Sequence, residues 1–70
     1  MAPAEQFGRN LRMARKAKQV TQAELASRVY LDRSAISKVE TGTRYPRLDQ
    51  ILEFADALDV RVRDLLYGIV

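Results

Sequence analysis

Arg33, Ser34, Ser37, Lys38 and Thr41 are the side chains whose types and spacing allow them to act as one set. At roughly 100° per helical residue and with Arg33 at zero, Ser37 falls near ~40°, Thr41 near ~80°, Ser34 near ~100° and Lys38 near ~140°. All five occupy one arc. Ala35, Ile36 and Val39 fall between about 200° and 300°, with Glu40 at the edge, so an apolar face opposes the polar one. Serine, arginine and lysine donate to base edges and phosphate oxygens, and the width of an α-helix fits the major groove of B-DNA. The segment is therefore a candidate recognition helix.

A helix of this kind works only if its neighbours aim it. Thr21 followed three residues later by Glu24 is a capping box, which predicts a helix starting at Gln22 with Leu25, Ala26 and Val29 inward. The backbone N–H groups at that start would suit a phosphate, although the same box equally caps a purely structural helix. Asp32 caps the next helix in the same way. Only Tyr30 and Leu31 separate the two, so they must cross steeply, as a helix-turn-helix over residues 21–42. Phe7, Leu11 and Ala14 predict a first helix over about 5–18, carrying Arg9, Arg12, Lys16 and Lys18 outside, and residues 1–4 are expected to be flexible. Gly42 ends the third helix, and Thr43 to Pro46 reads as a loop. A fourth helix places Leu48, Ile51, Leu52, Ala55 and Leu58 on one face, and a short fifth over about 61–67 presents Val62, Leu65 and Leu66. The predicted fold class is all-α, five short helices around one core.

Seventy residues allow one domain, and 47% hydrophobic residues suffice for a small core. With neither cysteine nor histidine, the chain lacks disulfides, thiolate or imidazole metal ligands and the commonest acid–base groups. Its acids lie scattered over helix surfaces, so neither an enzyme nor a cofactor is expected. No apolar run approaches the ~18 residues of a membrane span, and Met1 to Glu5 lacks signal-peptide character, which predicts a cytoplasmic protein without a membrane partner. The net charge of +3 is unevenly spread: residues 1–47 carry +6 and residues 48–70 carry −3. This asymmetry suits a first part that faces a polyanion, although charge alone would also serve solubility.

The chain resembles the phage repressor and Cro type of helix-turn-helix protein, the XRE family, whose fold is lambda-repressor-like. The resemblance runs from about Phe7 to Leu66 and rests on T-Q-A-E-L-A from Thr21, A-I-S-K-V-E-T-G from Ala35 and Y-P-R-L-D-Q-I-L-E-F-A-D-A-L from Tyr45. It implies a transcriptional regulator that binds double-stranded DNA. Arg33, Ser34, Ser37 and Lys38 would read or flank base edges, Arg33 first because its fork pairs with guanine. Thr21, Gln22, Thr41, Arg44, Tyr45 and Arg47 would hold the DNA backbone, with the outermost base pair as the alternative for Gln22. The resemblance also suggests that Arg15 pairs with Glu40 and so supports the recognition helix. It implies a homodimer, with half-sites about one DNA turn, ~34 Å, apart in a palindromic or pseudopalindromic operator. The apolar end of the chain supplies the candidate dimer surface, Leu65, Tyr67, Ile69 and Val70; against it stands completion of the monomer core, the favoured role for Leu65 alone, while Ile69 and Val70 are favoured for the interface.

Two departures from the family pattern bear on docking. Tyr30 stands where many members have glycine, and a bulky residue disfavours positive φ, which predicts a different backbone in the hinge. Lys18, Gln19 and Val20 fill a second turn that often carries glycine, and Arg47 stands where a serine cap would begin the fourth helix. A rival reading gives the same fold a protein partner such as a toxin, met through the acidic fourth helix and the apolar tail. RNA binding finds little support, because only Tyr30 and Tyr45 lie near the polar face to stack on bases.

Overall fold

The caps read from the sequence set where the helices begin. The computed structural model describes Met1 to Val70 and contains α1 (Pro3–Ala17), α2 (Gln22–Arg28), α3 (Arg33–Glu40), α4 (Leu48–Leu58) and α5 (Val62–Leu65). Thr21 Oγ1 accepts from the Glu24 N–H at 3.0 Å while the Glu24 carboxylate accepts from the Thr21 N–H at 2.9 Å, closing the capping box. Asp32 accepts from the Ala35 N–H at 2.8 Å. Arg47 has no side-chain acceptor, so the Gln50 amide oxygen takes the Arg47 N–H at 3.1 Å and the Asp49 carboxylate takes the Gln50 N–H at 3.0 Å. α1 begins at Pro3, two residues earlier than the spacing predicts, because proline suits the first helical position and Ala4 is buried.

Four helices end in one way. After α1, α2, α3 and α4, the residues Gln19, Tyr30, Gly42 and Asp59 take left-handed conformations with φ of 58°, 57°, 82° and 54°. In each case the next N–H reaches back five residues, from Val20 to Arg15, Leu31 to Ala26, Thr43 to Lys38 and Val60 to Ala55, at 2.9–3.1 Å. The different hinge backbone expected from Tyr30 is thus corrected. Tyr30 adopts the glycine conformation itself, its side chain standing 93% exposed while Leu31 packs against the core. Gln19 does the same before Val20.

Phe7, Leu11, Leu25, Ile36, Val39, Phe54, Leu58 and Leu65 make the core, with the Phe7 and Phe54 rings 6.3 Å apart. Each large side chain fully removed from water contributes roughly 1.5–3 kcal/mol. α1 lies directly on α3, and Gly8 permits that approach: a Cβ there would sit 2.6 Å from Glu40 O and closer still to Val39 O. Buried Asn10 donates to Leu65 O at 2.9 Å and Tyr67 O at 2.8 Å, tying the end of α5 to α1.

Two expectations change here. Leu65 is fully buried in the monomer core and is unavailable to a second copy, because α5 is a single turn whose inward position it occupies. On α4 the inward stripe is Ile51, Phe54, Ala55 and Leu58, so Leu48 and Leu52 are rotated outward and remain 70% and 50% exposed. No helix is long and apolar enough to cross a membrane.

Candidate nucleic-acid interface

α3 turns Ala35, Ile36 and Val39 into the core and leaves Arg33, Ser34 and Lys38 exposed, with Ser37 half-buried. Together with Gln22, the first residue of α2, these four line a recess of about 400 Å³ without a hydrophobic residue in its wall. Five polar side chains that offer both donors and acceptors suit the polar edge of a nucleic-acid groove. Gln22 closes one end, where its Oε1 accepts from Arg33 Nε at 3.3 Å.

Behind the recess is a buried ion pair. Arg15 Nε meets Glu40 Oε2 at 2.6 Å and Arg15 Nη2 meets Glu40 Oε1 at 3.0 Å, with side-chain exposures of only 10% and 3%. Arg15 Nη1 also donates to Val20 O at 2.9 Å, so one guanidinium joins α1, the α1–α2 turn and the end of α3. A bidentate pair satisfied on both sides offsets the desolvation of its charges and fixes geometry.

The flanking residues differ in what they still offer. The Thr21 hydroxyl accepts from its own helix and keeps its proton free to donate. Its cap partner Glu24 has a carboxyl pushed below its ordinary value, mainly by the Thr21 backbone N–H and then by the Thr21 hydroxyl. Thr41 instead turns its hydroxyl back onto Ser37 O and Lys38 O at 3.0 and 3.2 Å, which leaves it an acceptor rather than a phosphate donor. In the loop, Arg47 pairs with Asp49 at 3.3 Å, both side chains mostly in solvent, whereas Arg44 makes no ion pair and Tyr45 is exposed. Sequence reasoning placed Gln22 at the DNA without its bond to Arg33, and missed Gly8 and Asn10. Only the glycine inside a helical pattern carried a local signal, since helices disfavour it without a packing reason.

Residues 6–66 match the model of a helix-turn-helix domain family. The chain belongs to that family. Among its relatives, the control protein C.BamHI of Bacillus amyloliquefaciens is 41% identical over 61 residues, covering 86% of this chain and 75% of its own. The HTH-type transcriptional activator BcrR of Enterococcus faecalis is 35% identical over 63 residues, 90% of this chain but 31% of BcrR, so the chain spans about a third of that protein. Among solved structures, the restriction-modification controller protein C.AhdI from Aeromonas hydrophila superposes with a TM-score of 0.85 at 44% identity, over 89% of this chain and 90% of that one. The clp gene regulator ClgR from Corynebacterium glutamicum gives 0.92 at 29% identity, over 94% and 70%. The family is one of DNA-binding regulators, not of enzymes.

Proposed function

We propose that this protein is a cytoplasmic, sequence-specific regulator of transcription that binds DNA as a homodimer, each subunit laying α3 in one of two successive major grooves of a palindromic or pseudopalindromic operator. The observation that carries this reading is the all-polar recess formed by Gln22, Arg33, Ser34, Ser37 and Lys38. Arg33 and Lys38 read base edges with Ser34 and Ser37 beside them, while Thr21, Arg44 and Tyr45 hold the backbone. Arg47 joins them once its exposed pair with Asp49 opens, and Thr41 serves chiefly to end α3.

The second copy sits on an apolar face broader than the tail. Ile69 and Ile51 line a hollow of about 150 Å³ with Tyr45 and Pro46, and exposed Leu48 and Leu52 flank Ile51 on α4. Tyr67 and Val70 are exposed, Tyr67 beside a separate hollow with Met13, Ala14 and Val60, and buried Leu65 takes no part. Likeness to C.AhdI over nine-tenths of that chain favours control of restriction-modification genes as the setting.

Selection of bound duplexes from a random DNA pool tests the whole reading, and one enriched palindrome is the expected result. On that duplex Arg33→Ala costs about 1–3 kcal/mol and relaxes preference at one base pair. Arg44→Ala weakens binding to every sequence and lowers the salt slope. A pool that enriches nothing, with binding lost at moderate salt, reduces the protein to a non-specific binder. Selected sites lying away from restriction-modification genes would sink the setting alone.

A further inference from the structure

The chain leaves α5 through two carbonyls, Leu65 O and Tyr67 O, that receive no backbone N–H, as the last carbonyls of a helix commonly do not. Asn10 on α1 answers both, its Nδ2 donating to Leu65 O at 2.9 Å and to Tyr67 O at 2.8 Å. Gln6, one turn earlier, donates Nε2 to Asn10 Oδ1 at 2.9 Å, which fixes the Asn10 amide with its NH2 toward α5. Just past this clamp Gly68 takes a φ of 79° and runs along the Gln6 side chain, so that a Cβ there would lie 3.4 Å from Gln6 Cδ. The turn parts the tail residues. Tyr67 stands at the hollow that Asn10 shares with Met13, whereas Ile69 returns to the hollow lined by Ile51 and Leu66.

We infer that Asn10 is a positioning residue for self-association, which holds the tail so that Ile69 completes the wall on which the second copy sits. The inference rests on the reading of that hollow, with Leu48 and Leu52, as the seat of a second copy. Asn10 is itself buried, so it acts through the tail and not by touching a partner. A one-turn helix has too few internal hydrogen bonds to hold its own end. The remaining restraints on the tail are the Ile69 N–H on Leu66 O at 2.9 Å, which is local, and the half-buried Ile69 side chain. The direction of the tail therefore comes from α1, 55 and 57 residues away in sequence. The core has no need of an amide here: leucine would fill the same volume without the cost of burying polar atoms, and the donors of Asn10 are spent wholly on the tail.

Asn10→Leu tests this, because it keeps the volume and removes both donors, so that the two carbonyls reach water only if the tail swings away from α1. Circular dichroism should still report a helical protein that melts cooperatively. The dimer dissociation constant from sedimentation equilibrium should rise roughly fivefold to a hundredfold, the worth of two hydrogen bonds. Affinity for a duplex carrying one half of the selected site, which needs no second copy, should stay as in wild type. Ile69→Ala should weaken the wild-type dimer yet add little to Asn10→Leu, since the displaced tail no longer brings Ile69 to the hollow. A folded Asn10→Leu protein that dimerises like wild type would overturn the role, and so would a half-site affinity that falls as far as dimerisation does. Should Asn10→Leu not fold, Gln6→Leu decides, because it leaves Asn10 in place and frees its amide to turn. Dimerisation weakened roughly twofold to tenfold, the worth of one hydrogen bond, is then expected, and an unchanged constant overturns the inference. A wild-type protein monomeric at all concentrations would remove the seat itself, and the role of Asn10 with it.

Discussion

The outward faces of α3 and α4 are built from opposite materials. On α3 every exposed side chain is polar, and the first of them is tied through Gln22 and Glu40 to a buried arginine. On α4 the exposed positions include Leu48 and Leu52, which continue into the hollow lined by Tyr45, Pro46, Ile51 and Ile69 with no side chain of this chain covering them. Water satisfies exposed donors, so the α3 face is stable as it stands and only needs orientation. Water does not satisfy a contiguous apolar patch, and such a patch marks a surface that another molecule completes. In the proposed reading, the α3 face is thus organised from inside the monomer, and the α4 face by a second copy.

Removing the internal anchor should have the largest effect. Arg15→Met leaves Glu40 buried with only Gln22 to answer its charge, and should destabilise the fold by about 3–5 kcal/mol in urea unfolding. The pair Arg15→Met with Glu40→Leu should recover most of that, because an apolar pair needs no compensation. Recovery of stability without recovery of base preference would sharpen the contrast, since it separates holding α3 in place from aiming its side chains. A single variant as stable as wild type would break it.

Next comes the seam that brings the anchor within reach. Gly8→Ala gains helix propensity, yet its methyl meets two backbone carbonyls of α3 that cannot yield as a side chain would. A net loss of about 1–3 kcal/mol is expected, read as a lower thermal midpoint. An increase instead would mean that α1 and α3 slide apart easily and that the ion pair alone sets their spacing.

These two regions were unequally legible in the sequence. The α3 face follows from helical rotation within eight residues and from caps three residues apart, so periodicity and local hydrogen bonding sufficed. The ion pair joins positions 25 residues apart and entered only through family resemblance, because no local pattern links Arg15 to Glu40. On α4, Leu48 and Leu52 share a plausible apolar stripe with Ile51 and Ala55, and only the presence of Phe54 as the inward anchor decides the rotation of the helix. Leu65 was ambiguous for a related reason: an apolar residue in a one-turn helix can face the core or a partner, and α1 above it, with Asn10 holding its carbonyl, decides for the core.

The α4 face is sharpened by Leu48→Gln with Leu52→Gln, neutral changes at exposed positions. Monomer stability should move by no more than about 0.5 kcal/mol per site. Self-association should weaken at least about tenfold, about 1.4 kcal/mol, in sedimentation equilibrium. An unchanged dimer would place the interface elsewhere, and a wild-type protein monomeric at all concentrations would remove the second copy from the account.

The smallest expected effect lies in the hinge between the two helices that carry the recess. Tyr30 holds φ at 57° with a side chain that meets nothing, so its left-handed backbone costs about 1–2 kcal/mol with no packing in return. Tyr30→Gly should relieve that cost while adding freedom to the unfolded chain, for a net gain of about 0.5–1 kcal/mol. The backbone bond from Leu31 to Ala26 is already the one glycine would make, so α3 should not shift and the selected DNA sequence should be unchanged. A gain in stability accompanied by a new base preference would show that the tyrosine, by resisting its own conformation, tilts the recognition helix, and that the α3 face is aimed from the hinge as well as from Arg15.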